Sequence, residues 1–170
     1  SHLGHASYRV QLLLEPHFAS QIVPTDHFLP NCLQTTVDIP QSLVDEFKAF
    51  KSSKKWNRSF MMKVNKNKLE VELEELLEDT TWEDVVEELH DASPRFLAFM
   101  AEYVWDDGRK SYPLFFLYWC PEAVGTAEGT LYASTKARLC DALQINKIFD
   151  SRDKSELTQA WLNNKLKFFK

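Results

Sequence analysis

Apolar residues along this chain change spacing several times, and each change marks an element. Between Arg95 and Trp119 two runs of strand length, Arg95–Trp105 and Leu114–Trp119, are apolar at nearly every position and flank Asp106-Asp107-Gly108-Arg109. An Asp-Gly step readily takes the positive φ values of a tight hairpin turn, so the two runs are predicted to pair antiparallel. Strands that are apolar throughout, rather than alternating, are covered on both faces, which predicts helices on each side of a central sheet.

Upstream, Leu43, Val44, Phe47 and Phe50 fall on one helical stripe. Asp38 with Gln41 has the form of a capping box and Pro40 sits in the first turn, so a helix is predicted to start there and end near Phe50. Lys51–Arg58 then sets four basic residues around Trp56 and reads first as a solvated loop, second as a contact patch for an acidic partner. Ser59–Val64 and Leu69–Leu73 are predicted as a second hairpin, the latter alternating apolar and acidic residues. Thr81 and Asp84 are spaced to cap a helix with Trp82, Val85, Val86 and Leu89 inward. Its acidic residues Glu83, Asp84, Glu87 and Glu88 read as a solvated face rather than a cation site.

After Pro94 and the central hairpin, Cys120–Gly129 carries a proline and two glycines and reads as a loop, and Thr130–Ala133 as a short strand. Ser134 is the expected N-cap of a helix through Gln144, with Leu139, Ala142 and Leu143 inside. Lys136, Cys140 and Gln144 follow one another at i, i+4 on its expected outer side, near Arg138 and Asp141. A face mixing charge with small groups can seat a partner. Lys147–Arg152 is a predicted edge strand. Asp153 or Ser155 opens a last helix carrying Leu157, Trp161, Leu162, Leu166 and Phe169 on its apolar side.

Composition narrows this picture. The chain has 170 residues, 44% hydrophobic and 26% charged, enough for one well-buried core. A net charge of −5 argues against a general nucleic-acid surface. Residues 1–35 differ in composition, holding four of the five histidines and three of the seven prolines. With Ser1 at the start, they are expected to be an N-terminal extension, poorly ordered or foreign to a domain spanning 36–170. Their histidines at 2, 5, 17 and 27 lack the spacing of metal ligands. No apolar run reaches the roughly 20 residues of a membrane span, and Cys32, Cys120 and Cys140 form no metal-ligand pattern, so a soluble protein of a reducing compartment is expected.

Chemistry is sparse. There is no Gly-rich phosphate loop, Cys-x-x-Cys or His-Glu-x-x-His, and His90, the one histidine outside residues 1–35, reads as a helix C-terminal or surface residue. Neither Cys120 nor Cys140 has a histidine nearby in sequence to activate it. The chain is expected to be non-enzymatic, with no cofactor and no metal.

The order of elements resembles the actin-depolymerising-factor homology fold. Within it, Pro94-Arg95-Phe96, Asp106-Asp107-Gly108-Arg109, Ser111-Tyr112-Pro113-Leu114, Tyr132-Ala133 with Ser134 and Lys136, Lys147-Ile148-Phe149, and Trp161-Leu162 with Leu166, Phe168 and Phe169 resemble the glia maturation factor group. The resemblance covers residues 36–170. It implies an α/β (α+β) domain whose mixed, mainly antiparallel sheet of about five to six strands has helices on both faces. It implies a monomeric cytoplasmic regulator at cortical actin sites that binds the actin-related protein 2/3 complex, inhibits branch nucleation and promotes debranching. The alternative is a cofilin-like protein that severs or depolymerises filaments. Carried onto this chain, the partner-binding residues would be Ile39, Ser134, Lys136, Arg138, Asp141, Ala142, Asp150 and Arg152. A second surface, toward actin at the branch, would comprise Lys54, Lys55, Asp106, Asp107 and Arg109. No nucleic acid or membrane partner is implied.

Overall fold

The computed structural model describes residues 36–168. The chain divides into units Ser1–Gln34 and Thr35–Lys170, and the described residues all fall in the second. The expected N-terminal extension, Cys32, the four early histidines and Phe169 lie outside them.

Alternation across the sheet builds the fold. Strands β1 (Arg58–Asn65), β2 (Glu70–Leu77), β3 (Arg95–Met100), β6 (Leu114–Trp119) and β7 (Ile148–Ser151) lie in the order β2-β1-β3-β6-β7, antiparallel except for the β6–β7 pair. Successive strand residues point to opposite faces. Phe60, Met62, Phe96, Ala98, Phe116 and Tyr118 therefore enter one core, and Met61, Leu97, Phe99, Phe115, Leu117 and Trp119 the other. Helices α1 (Gln41–Ser52) and α3 (Thr126–Leu143) contribute to the first core, and α2 (Trp82–Glu88) and α4 (Gln159–Lys167) to the second. This is the mixed sheet with helices on both faces that the sequence predicts. The hairpin beyond β3 and β6 continues as a separate small ladder, β4 (Tyr103–Val104) with β5 (Lys110–Ser111), and Gly108 at its tip has φ 85°. Only glycine takes that conformation without steric cost from a side chain.

The stripes of α1 and α2 are buried as expected, and Thr81 closes a full capping box with Asp84. Four expectations are overturned. Asp38 does not cap α1: Pro40 is the N-cap and makes no side-chain bond, because Asp38 is drawn into a bridge with Glu70 of β2. The second hairpin strand runs to Leu77 rather than Leu73, past a bulge opposite Met61 and Met62 that admits Glu74 as an extra residue. The expected loop holds only through Gly125: α3 starts at Thr126, so residues 126–134 are helix rather than loop, strand and N-cap. The last helix is broken, with a single 3₁₀ turn at Lys154–Glu156 and a fresh N-cap at Thr158.

The early start of α3 follows from its inner face. Tyr132, Thr135, Leu139 and Leu143 are buried at helical spacing, so burial of this stripe outweighs Gly129 within the helix, which costs about 1 kcal/mol relative to alanine. At the other end Gln144 adopts the left-handed conformation, φ 55°, and lets Ile145 N–H reach the Cys140 carbonyl.

Candidate partner-binding site

Helix α3 is held at several points along its length. The Tyr132 hydroxyl accepts from Val64 N–H of β1 at 2.9 Å, Tyr118 of β6 donates to the Gly129 carbonyl at 3.2 Å, and Lys66 pairs with Glu128 at 2.8 Å. Burial pushes the phenols of Tyr132 and Tyr118 above their usual values, so both stay neutral donors and acceptors. Lys136 bonds both carboxylate oxygens of Asp150 in β7, at 2.9 and 3.0 Å, and lies 5.3 Å from the Tyr118 ring centroid. Arg138 donates to the Val37 carbonyl at 2.9 Å, joining α3 to the segment that leads into α1.

These contacts sort the residues predicted for the site. Ser134, Arg138 and Asp141 are exposed on the outer face of α3, but Ser134 is a mid-helix residue whose hydroxyl donates back to the Leu131 carbonyl. Lys136 is about 200° around the helix from Ser134 and reaches along the sheet side to β7, so it does not share that face. Ala142 is half-buried against the first core, as is Ile39. Cys140, expected outside, is buried in that core, and burial pushes its thiol up to about 11. A thiol so protonated at neutral pH is a poor nucleophile. Asp150 is exposed beside Lys136, and Arg152 is exposed at the end of β7. There Arg152 lines a cleft of about 340 Å³ with Cys120, Gly125, Thr126 and Thr130.

Sequence reasoning missed part of this face. Ala127, Thr130, Ala133 and Ala137 are exposed alongside Ser134 and Asp141, giving a stripe of small side chains about four turns long. Residues with little side chain let a partner's main chain approach closely and lose little rotamer entropy on contact. The helical spacing of Tyr132, Thr135 and Leu139 was the signal that could have revealed it.

The second predicted surface is assembled differently. Asp106, Asp107 and Arg109 are exposed at the hairpin tip, where Asp107 accepts from the Arg109 main chain and side chain at 3.0 and 2.6 Å. Lys54 and Lys55 follow α1, and Lys55 sits 3.6 Å from Glu78. Trp56 stacks on Tyr112 with ring centroids 4.1 Å apart, so the loop after α1 and the returning limb of the hairpin meet. Among the described residues no cluster of His, Cys, Asp and Glu could hold a metal ion, and no helix is long and apolar enough to cross a membrane.

Known proteins place this geometry in context. Residues 36–167 match the family described as "Cofilin/tropomyosin-type actin-binding protein". The chain is 35% identical to human glia maturation factor beta over 133 residues, which cover 78% of this chain and 94% of the relative. With glia maturation factor of Drosophila melanogaster it shares 32% identity over 76% of this chain and 95% of the relative. The solution structure of glia maturation factor from Caenorhabditis elegans superposes with a TM-score of 0.67 at 27% identity, covering 76% of this chain and 95% of that one. The chain belongs to the glia maturation factor group of the actin-depolymerising factor/cofilin homology family.

Proposed function

We propose that this protein is a non-enzymatic regulator of the actin cytoskeleton that binds the actin-related protein 2/3 complex, inhibits branch nucleation and promotes debranching. The observation that carries the reading is the exposed small-residue face of α3, present in a chain that matches glia maturation factors over most of their length. The outer face of α3, from Thr130 to Asp141, would be the part inserted into a groove of the partner. Arg138, Asp150 and Arg152 would supply polar contacts at its margins, with Ile39 and Ala142 packing beneath. The hairpin tip and Lys54–Lys55 would face actin at the branch. Action would be cytoplasmic, at cortical actin sites, by a monomer.

The cofilin-like alternative makes a different demand on α3. A cofilin-like filament binder would be expected to carry a denser run of lysines along this helix, whereas the outer face here carries Arg138 as its cation and Lys136 is occupied by Asp150. Imaging of branched filaments assembled with labelled branch complex decides the matter. Faster branch loss with weak co-sedimentation on unbranched filaments is the expected outcome. No change in branch lifetime at saturating protein, or strong severing of unbranched filaments, would sink the proposal.

A further inference from the structure

We propose that the cleft between the end of α1 and the returning limb of the hairpin is a docking site for an acidic peptide carrying one large apolar anchor side chain. It does not depend on the branch-complex reading, although Lys54 also belongs to the surface proposed to face actin. Lys51, Lys54, Trp56, Met100, Tyr112 and Leu114 line a cavity of about 460 Å³. Met100 is buried and Leu114 half-buried, forming an apolar floor. Trp56 and Tyr112, though stacked at 25° between planes, remain 39% and 41% exposed. A stacked aromatic pair left wet beside an apolar floor is surface that a partner's side chain would dehydrate with gain.

The aromatic wall is held in place. Asn57 N–H donates to the Met100 carbonyl at 2.7 Å, its carbonyl accepts from Thr80 N–H at 3.0 Å, and its side-chain oxygen accepts from Glu102 N–H at 3.3 Å. Lys54 and Asn57 both adopt left-handed backbone angles, φ 51° and 55°. A β-carbon disfavours that conformation, so the loop presents Lys54 and Trp56 at some conformational cost, a situation that concentrates at binding sites.

Charge selects the occupant. Neighbouring Lys48 and Lys55 sit against Asp45 and Glu78, but among the described residues Lys51 and Lys54 make no ion pair and no carboxylate lines the cavity. An apolar floor with Lys51 and Lys54 at its rim complements an apolar side chain flanked by Asp or Glu. A membrane surface fits less well, since two lysines around a concavity offer little attraction to a bilayer on a chain of net charge −5.

The test titrates the full chain into a short fluorescein-labelled peptide of Asp and Glu around one Phe, followed by anisotropy. Saturable binding is expected, weakened about tenfold or more by Lys51→Glu with Lys54→Glu, and by Phe→Ala in the peptide. Should the double variant not fold, Lys51→Ala at the solvent-exposed end of α1 is expected to weaken binding about threefold. The proposal is overturned by absence of saturable binding, by unchanged affinity in the lysine variants, or by equal binding of a peptide whose acids are replaced by Ser. Recruitment to phosphatidylserine vesicles with no peptide binding would overturn it in favour of a lipid surface.

Discussion

The two faces of the sheet do different work. Beneath α2 and α4 lies an aromatic core in which Trp82 meets Phe99, Phe115 and Trp161, while Trp82 and Trp119 each donate an indole N–H to a carbonyl, of Leu157 and His90. Beneath α1 and α3 lies a core of similar extent, but α3 turns a row of small side chains outward. One face locks loops and helix ends to the sheet through indoles; the other, besides tying α3 through the Tyr118 and Tyr132 hydroxyls, presents the outer side of a helix. Large side chains with satisfied polar tips secure position, whereas small exposed ones leave room for a partner.

The largest effect should come from the locking face. Trp82→Ala is expected to cost about 3–5 kcal/mol, read by denaturant unfolding, since it leaves a cavity among three rings and removes the bond to Leu157. A loss below about 1 kcal/mol would break the comparison. Next, Ala137→Trp fills the open row of α3. It should weaken binding to the branch-nucleating complex at least about tenfold in a pull-down while stability stays within about 0.5 kcal/mol. A large fall in melting temperature would show that this row is not free surface.

A smaller effect should appear in acid. Burial alone would raise the Glu74 carboxyl, but the hydrogen bond and charge of Arg95, helped by Lys63, outweigh it and hold the group below 4.5. With the folded value depressed, the stabilisation is complete above the unfolded value and is lost as pH falls through the folded one. Glu74→Gln should cost about 1–2 kcal/mol at neutral pH and flatten the loss of stability below pH 4.5, measured by unfolding across pH. The cost falls short of that for a fully buried pair because the Glu74 side chain is 25% exposed.

The smallest is Lys136→Ala with Arg138→Ala. Its expected cost is about 1 kcal/mol, because Lys136 is tied to Asp150 and Arg138 to Val37, and partner binding should also weaken. Unchanged stability by calorimetry would show that neither tether contributes in solution.

Much of the fold was legible in the order of residues. The central hairpin, the burial of both its faces, the stripes of α1 and α2 and the edge strand β7 each arise from local periodicity, because strand and helix geometry fix which side chains share a side. The turn at Gly108 follows from local chemistry in the same way. The start of α3 was not read, since Gly125 and Gly129 look locally like loop; the spacing of Tyr132, Thr135 and Leu139 pointed to a helix, but the packing of Tyr132 against Val64 and Phe96 that lets this stripe outweigh the glycines is tertiary.

The site divides along the same line. Ser134, Arg138 and Asp141 could be placed on an outer face from spacing once the helix was known. That Lys136 turns to Asp150, that Cys140 is buried, and that Trp56 meets Tyr112 were decided by elements distant in the chain. Sequence by itself determined which residues form strands and stripes, because those depend on neighbours a few positions away. Only the tertiary structure decided which charged and aromatic side chains are left free, because that depends on partners brought together by the sheet.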